Sequence, residues 1–284
     1  MSVLKMVIPK GRLFDNVVEL LNDAGFGVEV DQRIYTPMVD DPEIEAKIMK
    51  PQNIPQLVEF GSHDVGFTGH DWIVETQARI VDLMDLGFDP VQIVAAAPVE
   101  LAGPSLRSRR ILVASEYQRI PRDYLDGGCY DYVLLRTYGA TEVFPPEDAD
   151  MIVDNVSTGR TLNEHNLLII STIMESSTRF VANERALEDP WKSKKIGEMQ
   201  TLFRSVLDAR ERVMLEMNVG EADLDRIVDV LPCMRAATVA PLYRQQGYAV
   251  KAAVPRVDVA RLIPRLKRLG ATDILEFELR KVIA

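Results

Sequence analysis

The chain has 284 residues, of which 47% are hydrophobic and 27% charged, a composition within the ordinary globular range that excludes disordered, collagen-like and membrane classes. At about 150 residues per domain, that length predicts about two domains, or three if one is small. Lys and Arg total 33 against 43 Asp and Glu, a formal net charge of −10. This disfavours a general electrostatic grip on nucleic acid or anionic lipid, so a phosphate site must be local.

Cys129 and Cys233 have no second Cys or nearby His at ligand spacing, which argues against structural zinc and fits a reducing, cytoplasmic setting. Lys5 and Lys10 interrupt the first apolar run, so neither a signal peptide nor a membrane span is expected.

In chain order, Val3 to Pro9 reads as a strand, and Leu13 to Ala24 as a helix ended by Gly25. Glu43 to Met49 alternates as a strand, Ile54 to Phe60 carries a helical stripe, and Asp64 to Thr68 is a strand feeding a helix near Asp71 to Ala78. Val91 to Ala97 is a buried strand. This β/α alternation predicts a parallel or mixed sheet covered by helices.

Pro98 to Pro104 breaks the pattern, and a hinge is placed there. A second β/α set follows, with strands at Ile111 to Ala114, Tyr130 to Leu135 and Met151 to Val153. Asn166 to Thr172 and Arg179 to Ala182 are strands returning toward the first unit. Trp191 to Arg212 is a long amphipathic helix. The C-terminal stretch reads as strands at Val213 to Val219, Thr238 to Ala240, Tyr248 to Val254 and Ile274 to Val282. Helices fall at Ala222 to Leu231 and Val257 to Leu269. The order β-α-β-β-α-β is the ferredoxin-like arrangement.

Three segments can carry chemistry. In Asp154-Asn-Val-Ser-Thr-Gly-Arg-Thr161, a buried strand ends in an acidic residue and a hydroxyl- and glycine-rich turn. Gly159 admits an anion close to the backbone, Ser157, Thr158 and Thr161 donate hydroxyl hydrogen bonds, Arg160 adds charge, and Asp154 suits sugar hydroxyls. Read alone, the same turn also suits a helix cap. Pro9-Lys10-Gly11-Arg12 follows the first strand, where open α/β sheets bind ligands, and reads equally as a solvated basic loop. Asp64 to Asp71 is a strand and turn whose Gly66 and Gly69 serve a ligand or tight packing. The dinucleotide and P-loop signatures are missing, and His63, His70 and His165 form no metal or triad pattern.

Together, Ile8-Pro-Lys-Gly-Arg12, Asp64 to Gly69 with Asp71, Leu86-Gly-Phe88, Tyr138-Gly139 with Glu142, Asp150 to Leu162, Glu175-Ser-Ser177 and Ala182-Asn183 resemble the ATP phosphoribosyltransferase family, in its long form with a C-terminal regulatory domain. The resemblance implies an α/β fold with a two-lobed, periplasmic-binding-protein-like core and a C-terminal ACT-like domain. Its expected boundaries are 1–98 with 177–208 for lobe I, 99–176 for lobe II and 209–284 for the regulatory domain.

It further implies adenine N1 of ATP attacking C1 of phosphoribosyl pyrophosphate in the first step of histidine biosynthesis, with Mg²⁺ riding on the pyrophosphate and no direct protein ligand. Asp154, Asn155, Ser157, Thr158, Gly159, Arg160 and Thr161 would hold phosphoribosyl pyrophosphate, and Lys10, Gly11, Arg12, Lys50 and Asp71 the ATP or phosphates. Histidine would inhibit at Asn218, Thr238, Ala271 and Thr272, in a homo-oligomer of the hexameric kind built from dimers. No residue is assigned as a certain catalyst, and Asp71 reads equally as a helix cap. Cys233, Ala237 and Asn155 depart from the family pattern, Asn155 standing where an apolar residue is usual. Other readings of the same pattern are a two-lobed solute receptor and a phosphoribosyltransferase for another base.

Overall fold

The computed structural model describes residues 2–29 and 35–283. The chain divides into two compact units, Met1–Glu19 with Phe26–Ile196, and Leu20–Gly25 with Gly197–Ala284.

Strand β1 (Leu4–Pro9) is apolar apart from the exposed Lys5 near its start, with Met6, Val7 and Ile8 wholly buried, as an interior parallel strand requires. Helix α1 (Phe14–Ala24) buries Val17, Leu20, Leu21 and Ala24 at helical spacing. It stops at Gly25, whose φ of +103° suits glycine. A short ribbon of β2 (Val28–Glu29) and β3 (Met38–Val39) precedes β4 (Ile44–Met49). Ile44, Ala46 and Ile48 of β4 point inward and its charged residues outward. Helix α2 (Ile54–Glu59), β5 (Val65–Gly69), α3 (His70–Thr76) and β6 (Val81–Asp85) complete the run. A Cβ on Gly66 would lie 2.6 Å from Val7 Cγ1 and 2.9 Å from Ile54 Cγ2, so this glycine is there for close packing of α2 on the sheet.

The second set comprises β7 (Val91–Pro98), β8 (Ile111–Ser115), α4 (Arg119–Gly127), β9 (Tyr132–Arg136), β10 (Met151–Val156), α5 (Arg160–Glu164) and β11 (Leu167–Ser176). Its mixed sheet has the order β11-β7-β10-β8-β9. The next strand, β12 (Thr178–Ala182), returns to the first sheet, whose order is β4-β1-β5-β12-β6.

The expected boundary of lobe I at residue 98, with a hinge at Pro98 to Pro104, therefore shifts. β7 lies inside the second sheet between β11 and β10, and the Pro/Gly-rich segment is a turn leading on to β8. The chain crosses between sheets at Leu86 to Pro90, where Gly87 and Asp89 take φ of +69° and +49°, and recrosses at Ser177. An apolar run such as Val91 to Ala97 announces an interior strand without saying which sheet holds it. β6 is a strand that the hydrophobic pattern did not mark.

Helix α6 (Glu184–Glu188) is capped by Asn183, whose side chain accepts from Arg185 and Ala186 N–H and donates to Val58 O at 2.6 Å. Helix α7 (Pro190–Arg210) buries Ile196, Met199, Phe203, Val206 and Ala209. The C-terminal sheet then runs β13 (Arg212–Val219), α8 (Leu224–Val228), β14 (Thr238–Pro241), β15 (Tyr248–Pro255), α9 (Val259–Arg268) and β16 (Thr272–Glu278). Its antiparallel order β14-β15-β13-β16 is ferredoxin-like. Val213, Leu215, Met217 and Val219 alternate into a core shared with Ile227, Leu262 and Leu266. Helix α8 is shorter than expected, and the last strand both begins and ends earlier.

Candidate active site

Strands β1, β4 and β5 are parallel, so their carboxyl ends lie at one edge of the first sheet. Lys10, Gly11 and Arg12 follow β1, Lys50 follows β4, and Asp71 follows β5. This is the edge where open α/β sheets bind ligands. Lys10 N donates to Met49 O at 2.7 Å, while its ammonium donates to the Tyr35 hydroxyl at 3.1 Å. Gly11, at φ +86°, has no atom within 4 Å of where a Cβ would stand, so the loop surface is open. Arg12 and Asp71 line one cavity of ≈ 140 Å³ with Trp72, Glu116, Tyr117 and Asn155. Lys10, Gly11 and Lys50 lie outside its lining.

Asp71 is buried, and its carboxylate does not cap α3. Instead it accepts from the Tyr117 hydroxyl at 2.7 Å and the Ser176 hydroxyl at 2.6 Å, while its own N–H donates to Ser176 Oγ. A Cβ on Gly69 would collide with Asp71 Oδ1, so glycine there lets the carboxylate fold back. Tyr117 follows β8 of the second sheet, is wholly buried and stacks on Trp72 with ring centroids 4.6 Å apart. Burial, with the Asp71 carboxylate beside it, pushes its phenol well above the usual range. Glu75, on α3, accepts from Gln118, Arg119 and Ile120 N–H at 2.6 to 3.0 Å, and so caps α4 of the other sheet. Asp71 and Glu75 thus tie the two lobes of the first unit together.

The turn after β10 lines a second cavity of ≈ 270 Å³ with Asp154, Ser157, Thr158, Gly159 and Thr161 among its walls. Gly159 takes φ +72° as it opens the one-turn helix α5, a conformation that costs an L-residue on the order of 1 kcal/mol. The side-chain hydroxyls of Ser157, Thr158 and Thr161 make no hydrogen bond among the described residues, which leaves them for a ligand. Arg160 is the exception: its guanidinium pairs with Glu164 at 2.8 Å on the exposed face of α5. Asp154 accepts from Asn155 N–H at 2.7 Å and from the Asn155 amide at 3.2 Å. Burial, joined by Glu116 and Glu142, outweighs those donors and raises its carboxyl to about 6.

A third and larger cavity, ≈ 510 Å³, shares Ser157 with the loop and Ser176 and Ser177 with the Asp71 cavity. The three spaces are thus neighbours, and the largest reaches Arg179, which pairs with Asp85 at 3.0 Å.

The profile described as HisG, ATP phosphoribosyltransferase, matches residues 50–205, and that of the HisG C-terminal domain matches 209–281. The chain belongs to the ATP phosphoribosyltransferase family. An ATP phosphoribosyltransferase of Chlorobium phaeovibrioides is 38% identical over 99% of this chain and 98% of its own length. One of Pelotomaculum thermopropionicum is 39% identical over 99% of each. Among solved structures, the ATP phosphoribosyl transferase (HisG:HisZ) complex from Thermotoga maritima aligns with a TM-score of 0.63 at 24% identity. It covers 71% of this chain and 99% of that one, and establishes a shared fold.

In this ATP phosphoribosyltransferase family member, the residues that sequence reading passed over are Glu75, Glu116, Tyr117 and Arg179. Tyr117 had one local signal, its place just past the carboxyl end of a parallel strand; the others have none. Of the four regulatory candidates, the C-terminal sheet brings together Asn218, Ala271 and Thr272. Asn218 pairs with Thr272 across β13 and β16, and its amide donates to Asp273 at 2.8 Å. Thr238 lies on β14, the opposite edge strand, apart from this group.

Proposed function

We propose that this chain condenses ATP with phosphoribosyl pyrophosphate to give N1-(5-phosphoribosyl)-ATP and pyrophosphate, the first step of histidine biosynthesis. The observation that carries the reading is the Asp154 to Thr161 turn in a member of this family. It sets one half-buried carboxylate before three hydroxyls with no hydrogen-bond partner among the described residues, around a glycine at positive φ. Ser157, Thr158 and Thr161 with the turn's backbone hold the 5′-phosphate, and Asp154 accepts from the ribose hydroxyls.

Adenine N1 attacks C1 as the C1–O bond to pyrophosphate breaks. Its lone pair lies in the ring plane and needs no base to expose it, so the protein's work is alignment of the two reactants and stabilisation of departing negative charge. Lys10, Arg12 and Lys50, at the carboxyl edge of the first sheet, supply cations on the facing side.

Phosphoribosyltransferases generally use Mg²⁺. Among the described residues, no group of three His, Cys, Asp or Glu is placed to hold a metal, while Glu142 and Asp154 line the loop cavity. Those two carboxylates would face an ion carried in on the pyrophosphate. The chemistry such an ion would supply is neutralisation of charge on the leaving group.

We further propose histidine as a feedback inhibitor bound at the C-terminal sheet near Asn218, Ala271 and Thr272, in a cytoplasmic hexamer built from dimers, with domain boundaries near residues 90, 177 and 209. No helix among the described residues is long and apolar enough to cross a membrane. Pyrophosphate release tests the reaction. It is expected only with ATP and phosphoribosyl pyrophosphate together, to be lost in Asp154→Ala and Thr158→Ala, and to fall with added histidine. Equal release when another nucleotide replaces ATP contradicts the acceptor.

A further inference from the structure

We infer that Asn155 is a positioning residue that joins the ribose-binding carboxylate to the clasp between the lobes, so that lobe closure and sugar recognition are mechanically one event. This deepens the proposed reaction and rests on it.

The amide nitrogen of Asn155 carries two hydrogens and faces two acceptors. One is Asp154 Oδ1 at 3.2 Å, the other the Tyr117 hydroxyl oxygen at 3.4 Å. That hydroxyl in turn donates to Asp71 Oδ2 at 2.7 Å, and Asp71 Oδ1 accepts from Ser176 at the second crossing between sheets. A continuous path therefore runs from the first lobe, through Asp71, Tyr117 and Asn155, to Asp154. Each member is oriented by the next: Tyr117 must donate toward Asp71, which leaves its lone pairs for the Asn155 amide. That amide, held on one side by Tyr117, presents its other hydrogen to Asp154. The backbone N–H of Asn155 already holds Oδ1 at 2.7 Å, so the same oxygen is fixed twice.

The charged groups facing Asp154 are Glu116, just past β8, and Glu142, on the turn before β10. Both oppose its ionisation. The Asn155 backbone N–H and the Thr141 hydroxyl act in the other direction without bringing a charge, and the Asn155 amide adds its hydrogen to the same carboxylate oxygen at 3.2 Å. When the lobes part between Asp71 and Tyr117, the phenol loses the acceptor that orients it, and the Asn155 amide, anchored on that hydroxyl, is no longer held toward the carboxylate. The clasp thereby favours the acceptor form that binds ribose.

The test uses steady-state kinetics of the full chain across about pH 5 to 9, for wild type, Asn155→Val, Tyr117→Phe and the double variant, with Asn155→Asp as a second probe. Valine keeps a strand-compatible shape and removes both donors. The expected result is a roughly three- to ten-fold rise in KM for phosphoribosyl pyrophosphate with little change in KM for ATP. The acidic limb of kcat/KM should move to higher pH, because the carboxylate has lost a donor. Tyr117→Phe should move both readouts in the same direction by less, and the double variant should be no worse than Asn155→Val alone, since both break one path. Asn155→Asp, which sets an acceptor against two oxygens, should exceed Asn155→Val. Additive effects, or an unmoved acidic limb in Asn155→Val and Asn155→Asp, would overturn the relay. A wild-type enzyme that forms no phosphoribosyl-ATP would instead overturn the proposed reaction, so the two failures are distinct.

Discussion

Asp71 and Tyr117, 46 residues apart in sequence, meet at 2.7 Å through a hydroxyl donating to a carboxylate, one residue from each lobe. The contact is buried, and Ser176 completes it from the crossing segment. Asp71→Asn keeps one acceptor and brings two hydrogens, so one of the two hydroxyls loses its partner. A buried polar group left unmatched costs about 1 to 3 kcal/mol. Urea unfolding should show a lowered midpoint, and kcat/KM should fall at least ten-fold. Unchanged stability and activity would mean that the clasp contributes nothing.

Glu75 reaches across to cap α4 with three N–H groups. Glu75→Gln removes the charge that favours a helix N-terminus and should cost about 1 kcal/mol. Hydrogen exchange at Arg119 and Ile120 amides should accelerate relative to the rest of the unit; equal protection in both proteins would show that the cap is dispensable.

Burial raises the Asp154 carboxyl to about 6, from the ordinary 3.8. The sign follows from proton binding: between those values the folded chain holds a proton that the unfolded chain has released, so stability falls as pH rises from about 4 to 6. Under the proposed reaction, sugar binding runs the other way, because ribose hydroxyls need the ionised acceptor. Affinity for phosphoribosyl pyrophosphate should decline below about pH 6, and Asp154→Asn should abolish that limb while stabilising the fold at pH 7 by on the order of 1 kcal/mol. Calorimetric titration with phosphoribosyl pyrophosphate at several pH values checks this, and a flat profile in wild type contradicts it.

Gly159 has φ +72° and its nearest side-chain neighbour, Val156 Cγ1, is 4.0 Å from where a Cβ would sit. Gly159→Ala is therefore strained by backbone conformation and not by collision, a cost of about 1 kcal/mol. Thermal unfolding should shift by a few degrees while KM for phosphoribosyl pyrophosphate rises far more. A large loss of stability with unchanged KM would place the turn's role in folding alone.

The sequence is most legible where pattern and neighbours coincide. The Asp154 to Thr161 turn announces itself because strand, carboxylate, hydroxyls and glycine are contiguous. The C-terminal order is readable because Val213, Leu215, Met217 and Val219 alternate cleanly into one core. Contacts between distant segments leave no such trace: Glu75 and Gln118 stand 43 residues apart, and nothing in either window marks the cap. Val91 to Pro98 is visibly interior, yet its sheet is set by pairing with Met151–Val156 and Leu167–Ser176, which periodicity does not encode. Arg160 follows the glycine of the turn, and its i,i+4 spacing to Glu164 on α5 also gives it a surface partner.

The central claim is the identity of the acceptor. Incubating the chain with ATP, phosphoribosyl pyrophosphate and Mg²⁺ and weighing the nucleotide product measures it directly. One new species with the mass of phosphoribosyl-ATP is expected, with the ribosyl group on adenine N1. Binding of phosphoribosyl pyrophosphate with no adduct to ATP would leave the turn standing and contradict the reaction.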